Sequence, residues 1–290
     1  MDVHKHMLAI ALSLGMLGLS IARAFFRRHS IKDKHVLIVG GSSGLGLAFA
    51  KILKKAGNTV TITSRSIEKL AALEKEWGFR TKMMDVGCIG TCLDSTAYEY
   101  IFCCAGIAHP SYFIDQPFDR FQESISTNYL GTVAVLSHYA RVNKRPFAFI
   151  MVSSTLSLFT FPGFGSYSPS KAALVSLFYT VRDEMEKLGI YLYIYNTASI
   201  LTPGYIRENA TKPSYTRSIE EMSVPCSAEQ RAMTFLNAMH TRRAVPSDTF
   251  TYLCQIRHDC ECMIDYLLFP VAVVVVCASK AFCKWRFRRV

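Results

Sequence analysis

The 290-residue sequence predicts an α/β fold of three layers, with a doubly wound parallel sheet between two layers of helices. Three observations predict it. Short apolar runs alternate with stretches of helical periodicity across residues 35–245, the pattern of repeated strand–helix–strand units. The first run, HVLIVG at 35–40, opens into the glycine-rich GGSSGLG at 40–46 and then into a helical stretch. A Tyr167-x-x-x-Lys171 pair, in YSPSK, follows a strand that ends in two serines, Ser153 and Ser154. Apolar segments flank this region, so the expected organisation has three parts. Residues 1–30 form an N-terminal transmembrane anchor. Residues 31–250 form the nucleotide-binding catalytic domain, with 202–225 as a lid. Residues 251–290 form a membrane-associated C-terminal segment.

Composition supports membrane contact. Hydrophobic residues make up 50% of the chain and the mean hydropathy is +0.20. The net charge of +11 raises nucleic acid as a partner. The basic residues are dispersed, however, and gather mainly beside the apolar ends, with no nucleic-acid-binding signature, so no nucleic-acid partner is expected. Of the ten cysteines, Cys103 and Cys104 are neighbours in one core strand and point to opposite faces. That suits reduced thiols in a cytosol-facing domain. Cys254, His258, Cys260 and Cys262 lack the paired C-x2-C knuckles of a zinc site, and no metal centre is expected.

Residues 7–26, MLAIALSLGMLGLSIARAFF, are apolar apart from Arg23 and long enough to span a membrane. No small-residue cleavage site precedes the basic flank Arg27, Arg28, Lys32 and Lys34, which disfavours a cleaved signal peptide. By the positive-inside rule that flank keeps the following domain in the cytosol.

The run at 35–40 reads as a buried parallel strand. After it, Leu47, Phe49, Ala50, Leu53 and Ala56 fall at helical spacing, with Lys51, Lys54 and Lys55 on the other side. Strand, glycine turn and helix in that order cradle a phosphate. Glycines admit the anion to the backbone, and the free N–H groups of the helix start point at it. TVTIT at 59–63 is the second strand. Arg65 lies just past its end and Lys69 one helical turn later, where an adenosine ribose sits in such a sheet. No Asp or Glu occupies the strand end, which favours a 2′-phosphorylated dinucleotide, NADP(H), over NAD(H).

FRTKMMDV at 79–86 is the third strand, with Asp85 at its carboxyl end, near where an adenine would lie. The segment from there to IFCCAG at 101–106 is too brief for a full crossover, so a truncated helix is expected. Residues 118–140 show a long helical pattern around Asn128, a residue that prefers caps and turns. Either it is a tolerated polar residue or its side chain has a special task. RPFAFIMVSS at 145–154 is the fifth strand.

Tyr167 and Lys171 share one face of the helix predicted over 167–188. A phenol of pKa about 10 is a poor proton donor or acceptor at neutral pH. An ammonium one turn away stabilises the phenolate and draws that pKa toward the working range. A serine hydroxyl at the strand end holds a carbonyl beside the phenol. The combination suits carbonyl reduction, with hydride from a nicotinamide and a proton from Tyr167.

IYLYIYN at 190–196 is the sixth strand, and the loop after it carries Thr202, placed to bond a carboxamide. Residues 205–225 are polar, carry Pro213 and read as a lid over a substrate cleft. Residues 227–243 form an amphipathic helix with a basic end. The run YLLFPVAVVVVCAS at 266–279 is short of a full span and contains Pro270. Crossing fully would place the basic tail on the wrong side by the charge rule. A re-entrant or interfacial anchor is therefore expected, with Trp285, Arg286, Arg288 and Arg289 at cytosolic headgroups.

The G-x-x-x-G-x-G of 40–46, Cys104-Ala105-Gly106, Asn128, Ser153–Ser154 and Tyr167-x-x-x-Lys171 together resemble the short-chain dehydrogenase/reductase family across about 35–245. The resemblance implies a Rossmann-type doubly wound sheet. It implies NADPH contacts from Gly40, Ser42, Ser43, Gly44, Gly46, Arg65, Lys69 and Asp85, with Ile200 and Thr202 at the carboxamide. Tyr167 and Lys171 would also meet the nicotinamide ribose, and Asn128 would join a proton relay through a water on a kinked helix. The spacing of thirteen to Tyr167 favours Ser154 as the catalytic serine, while Ser153 remains the alternative by its face. Two positions depart from the family: Cys103 replaces its usual Asn, and Thr197-Ala198 its usual Pro-Gly.

Within the family, SRSIEKL and TPGYIRENATKPSYTRSIEE (202–221) are similar to a membrane-bound branch that reduces a long-chain lipid ketone. That similarity implies a long-chain lipid substrate and a membrane partner. It places the protein in the endoplasmic reticulum membrane, its catalytic domain facing the cytosol. The family's habit of pairing through the helices that hold Asn128 and Tyr167 implies a homodimer. Two rival readings stand beside it: a membrane reductase of a retinoid, steroid or acyl-chain carbonyl, and a non-catalytic nucleotide-sensing scaffold.

Overall fold

The computed structural model describes residues 31–88 and 93–289. The anchor expected over 1–30 lies outside them. Six parallel strands follow the predicted runs: β1 (His35–Val39), β2 (Thr59–Ser64), β3 (Arg80–Met83), β4 (Tyr100–Cys103), β5 (Phe147–Ser154) and β6 (Ile190–Thr197). Two short strands, β7 (Ile200–Leu201) and β8 (Cys226–Ser227), pair with each other. The last strand, β9 (Ala244–Pro246), completes a seven-stranded sheet of order β3-β2-β1-β4-β5-β6-β9. It is short and follows a helix without a turn signature, so the sequence pattern does not announce it.

Side chains alternate across each strand, which splits the core into two layers. Val36, Ile38, Val60, Ile62, Phe102 and Ile150 face one side. They are covered by α1 (Gly44–Lys55), α2 (Ile67–Trp77) and α8 (Ala228–Ala238). There Phe49 sits 4.9 Å from Phe102 and 5.7 Å from Phe235, ring centre to ring centre. Leu37, Val39, Ile101, Cys103, Phe149 and Met151 face the other side, under α4 (Gly131–Val142) and α5 (Tyr167–Lys187). The doubly wound α/β arrangement is the predicted one.

The link between β3 and β4 differs from expectation. No helix occurs between them among the described residues. Asp94 pins this loop instead: its carboxylate accepts from Lys82 at 2.8 Å and from the Thr96 N–H at 3.0 Å, and its carbonyl meets His138 Nε2 at 2.8 Å. Side-chain contacts replace the crossover helix.

The helical pattern around Asn128 resolves into α3 (Phe118–Ser124), a π-helical segment over Ile125–Leu130, and α4. Asn128 is fully buried inside the π segment, the kind of local widening that recurs at functional sites. The lid contains two short helices, α6 (Pro203–Thr211) and α7 (Ser214–Glu220). Tyr215 and Ile219 of α7 are buried, so this segment contributes to the core as well as covering a cleft.

Helix α9 (Thr249–Ile256) buries Thr251, Cys254 and Ile256 against the domain. The final apolar run is part of one unbroken helix, α10 (Met263–Phe287), with Pro270 inside it. By length and composition α10 is long enough to cross a membrane. The fourteen-residue run expected as a re-entrant or interfacial anchor is thus part of a longer continuous helix, which runs through Pro270 and past Ser279. Both ends are fixed to the domain. Arg242 pairs with the buried Asp265 at 3.0 Å, and the Tyr215 hydroxyl donates to the Cys283 carbonyl at 2.9 Å.

Candidate active site

Strand order reverses between β1 and β4, the place where an open parallel sheet leaves a crevice at its carboxyl end. Gly40 sits there with φ +80°, and a Cβ on it would lie 2.7 Å from the Ala105 nitrogen. A Cβ on Gly46 would lie 2.3 Å from the Gly40 carbonyl oxygen. The loop is thus compact enough to exclude any side chain at these two positions. Ser43 caps α1 without a side-chain hydrogen bond, so the first N–H groups of the helix stay open to the crevice. Ser42 Oγ donates to Ser64 Oγ at 2.8 Å and ties the loop to the end of β2.

A cavity of about 1350 Å³ opens from this crevice. It exceeds the roughly 300–1000 Å³ of a single small-ligand site. Its polar end holds the loop residues Gly40, Ser42, Ser43, Gly44 and Gly46, with Arg65, Lys69 and Asp85 beside them. Asp85 Oδ1 accepts from the Gly87 N–H at 2.9 Å. Ile200 and Thr202 close the near side; Thr202 Oγ1 accepts from the Tyr205 N–H at 3.1 Å and caps α6. A cradle that a Cβ would fill, an open helix start and a basic rim fit the pyrophosphate and ribose of a nicotinamide dinucleotide.

Ser153, Ser154, Tyr167 and Lys171 line the middle of the same cavity. The two serines divide. Ser153 is buried and donates to the Lys171 backbone carbonyl at 3.0 Å, a bond that fastens β5 to α5. Ser154 Oγ accepts from the Leu156 N–H at 3.1 Å and lies beside the Tyr167 phenol. Lys171 Nζ donates to the Val152 carbonyl at 2.8 Å and stands 5.9 Å from the centre of the Tyr167 ring.

Burial pushes the Tyr167 phenol well above its ordinary value, Glu208 adds to that rise, and the Ser154 hydroxyl opposes it. Burial lowers Lys171 to about 8. In the protein alone burial is the dominant influence on the phenol, and Lys171 is held by the Val152 carbonyl below its ring. Tyr167 is therefore a fully protonated donor at neutral pH.

Asn128 is the one predicted residue off the cavity wall. Its Oδ1 accepts from the Ile107 N–H at 2.8 Å, and its Nδ2 donates to the Ile107 carbonyl and to Ser170 Oγ, both at 2.9 Å. The side chain thus clamps the loop after β4 to α5. A Cβ on Gly106 would meet Lys171 Nζ at 3.2 Å and Asn128 Oδ1 at 3.3 Å, so that loop passes directly between them.

The far end of the cavity is apolar. Phe159, Phe161 and Phe164 come from the loop after β5, Ile219 and Met222 from the lid, and Phe282 from α10. The helix read as a membrane anchor therefore also forms a wall of this cavity. An ionic cluster from α6 and α7 lies between the two ends. Lys212, its side chain fully buried, pairs with Glu220 and stands 3.9 Å from Glu208 Oε2. Sequence reading missed this cluster and the α10 wall. The signal for the first was present, since Glu208 and Lys212 have the i,i+4 spacing of a helical ion pair. The second depends on a long-range packing that no local pattern encodes.

The short chain dehydrogenase family model matches residues 34–213. The chain is 32% identical over 220 residues to a 3-ketodihydrosphingosine reductase (TSC10) of Cryptococcus neoformans, which takes in 68% of this chain and 65% of that protein. It is 30% identical over 238 residues to a 3-ketodihydrosphingosine reductase of Debaryomyces hansenii, covering 72% and 73%. Among solved structures, a short chain dehydrogenase/reductase from Burkholderia phymatum in complex with NAD has a TM-score of 0.65 at 17% identity. That match covers 79% of this chain and 94% of the other and speaks for the fold.

Proposed function

The chain belongs to the short-chain dehydrogenase family, and on that premise we propose that it reduces the 3-keto group of 3-ketodihydrosphingosine to give dihydrosphingosine, using NADPH. One observation carries the reading: the Ser154–Tyr167–Lys171 group faces a cavity with a phosphate-binding loop at one end and aromatic and aliphatic walls at the other.

Gly40, Ser42, Ser43, Gly44 and Gly46 would hold the pyrophosphate. Arg65 and Lys69 would meet a 2′-phosphate, and no carboxylate at the end of β2 competes for a 2′-hydroxyl. Asp85 would lie by the adenine, and Ile200 and Thr202 by the carboxamide. When bound, NADPH supplies the hydride that reaches the carbonyl carbon. Ser154 donates a hydrogen bond to the carbonyl oxygen and holds it against Tyr167. Tyr167 transfers its hydroxyl proton to that oxygen as the C–O bond becomes that of an alcohol. Lys171 stabilises the phenolate left behind, and its pKa near 8 lets it pass a proton on near neutral pH. Asn128 keeps the loop after β4 and helix α5 in register, so that Lys171 stays below Tyr167.

The lipid chain would lie along Phe159, Phe161 and the Phe282 face of α10. With α10 at a membrane, the substrate reaches the carbonyl site from the lipid phase without crossing water. On this reading the enzyme would sit on the cytosolic face of the endoplasmic reticulum membrane, with the apolar residues 7–26 as a second anchor. Conversion of 3-ketodihydrosphingosine to dihydrosphingosine by purified protein, with matched consumption of NADPH, tests the reading; no product under those conditions defeats it.

A further inference from the structure

Two carboxylates, Glu208 and Glu220, line the cavity beside the buried ammonium of Lys212, and Arg207 of the same helix as Glu208 also acts on that carboxylate. Lys212 is committed to Glu220 and to Asn209 Oδ1, the latter at 2.9 Å. Its distance of 3.9 Å from Glu208 Oε2 is too long for a hydrogen bond. Among the described residues no hydrogen bond to the Glu208 carboxylate is present, and its side chain is only 27% exposed. A half-buried carboxylate with only a long ion pair and no hydrogen bond is under-satisfied, and a donor or cation reaching it from the cavity would improve its balance.

The cluster lies close to the reacting centre. Lys212 Nζ is 5.8 Å from the Phe164 ring, and Phe164 is 5.9 Å from the Tyr167 ring. Glu208 is also the charge that most raises the Tyr167 phenol. Glu208, Ser154 and Tyr167 line one cavity, so a ligand held by a carbonyl oxygen between the last two presents the groups on its adjacent carbon to the space that Glu208 faces.

We infer that Glu208 is a specificity-determining residue, which takes up the protonated amine on the carbon next to the substrate's ketone. The inference rests on the function proposed above, since 3-ketodihydrosphingosine carries its amino group on that carbon. The ammonium would give the Glu208 oxygens the hydrogen-bond donor they lack. Glu220 keeps Lys212 as its partner, so it holds the cluster together without meeting the substrate. Burial pushes the empty-site Glu208 carboxyl up to about 7, against the pull of Lys212 and Arg207 and with the push of Glu220. A cationic ligand relieves the same burden that a proton relieves in its absence.

The test compares 3-ketodihydrosphingosine with 1-hydroxyoctadecan-3-one, which lacks only the amine, in wild type and Glu208→Gln. A charge-assisted hydrogen bond predicts a wild-type preference of about 10- to 100-fold in kcat/KM for the amino ketone. In Glu208→Gln that preference falls to within about 3-fold. A second readout does not need turnover: dihydrosphingosine should raise the melting temperature of the wild type more than octadecane-1,3-diol does, and the difference should vanish in the variant. A wild type active on both ketones without preference overturns the inference and leaves the reductase reading standing. A wild type inactive on both overturns the two together. A variant that keeps the full preference assigns the amine to another residue and overturns the inference. If Glu208→Gln does not fold, the wild type decides with the N-acetylated ketone, which carries no charge: reduction as efficient as that of the free amine overturns it.

Discussion

Lys171 Nζ donates to the Val152 carbonyl at 2.8 Å while standing 5.9 Å from the centre of the Tyr167 ring. The lysine is thus held by the strand that carries the serines and sits below the phenol that it serves. Helix α5 sets the four-residue spacing, and β5 sets the depth.

From this relationship follows the first prediction. Tyr167→Phe removes the donated proton and leaves the ring packing against Phe164 intact. Its kcat should fall by about 10²- to 10⁴-fold, the usual worth of a general acid. Thermal melting should stay within a few degrees of wild type. Steady-state kinetics beside a melting curve check both halves.

The two serines should separate by phenotype. Ser154→Ala removes the hydroxyl beside Tyr167 and should lower kcat by about 10²-fold, the scale of a lost oxyanion-type donor. Ser153→Ala removes a buried hydrogen bond to the Lys171 carbonyl and should destabilise the fold by about 1 kcal/mol. Urea denaturation read together with kcat distinguishes the two. Equal losses of kcat in both variants would contradict the assignment.

Arg65 is exposed at the rim beyond β2 and makes no hydrogen bond or ion pair among the described residues. Arg65→Ala should therefore cost little stability. Its kcat/KM with NADPH should fall by about 10- to 100-fold, as for a charge-assisted phosphate contact, while kcat/KM with NADH should change little. The ratio of the two cofactor efficiencies is the measurement.

Helix α10 lines the cavity through Ala278, Ser279 and Phe282. Ser279→Trp adds bulk to that wall. It should impair reduction of the eighteen-carbon ketone by at least about tenfold and leave a short-chain analogue largely unaffected, since filling a pocket rejects the longer ligand. A chain-length series in both proteins checks this.

The Glu208 carboxyl titrates at about 7 in the folded protein against an ordinary value of 4.5, burial being the largest cause. Its folded-state pKa is raised, so between these values the folded chain holds a proton that the unfolded chain has lost. The stabilisation is full below pH 4.5 and is lost as pH rises through 7. Glu208→Gln should flatten this dependence and be more stable than wild type at pH 8, by about 1–3 kcal/mol. The slope should not vanish, because burial also raises Glu220. Urea melts at pH 5 and pH 8 without cofactor give the comparison.

Much of the site was legible because its determinants are local. Gly40 and Gly46 admit no Cβ, so the loop must be written in glycine. Tyr167 and Lys171 meet because a helix turns every 3.6 residues. Arg65 was legible because it stands just past the end of β2, a place that strand order fixes beside the crevice. The unread parts depend on contacts distant in sequence. Asp94 replaces a crossover helix by reaching Lys82 and His138. Cys283 reaches Tyr215 only through the packing of the last helix on the lid. Glu208, Lys212 and Glu220 meet across two short helices whose polar composition reads as a lid and gives no sign of a buried ionic cluster. Spacing favours Ser154 over Ser153, but adjacent strand residues take opposite faces, and only the packed sheet fixes which one lies beside the phenol.

The most direct test of the central claim follows the hydride. The wild type is incubated with 3-ketodihydrosphingosine and NADPH deuterated at either face of C4, and the product is read by mass spectrometry. The account predicts dihydrosphingosine one mass unit heavier, with deuterium at C3, from one of the two labelled cofactors, and no such product from Tyr167→Phe above about 1% of the wild-type rate. Unlabelled product from both cofactors, or labelled product formed equally well by the variant, would contradict it.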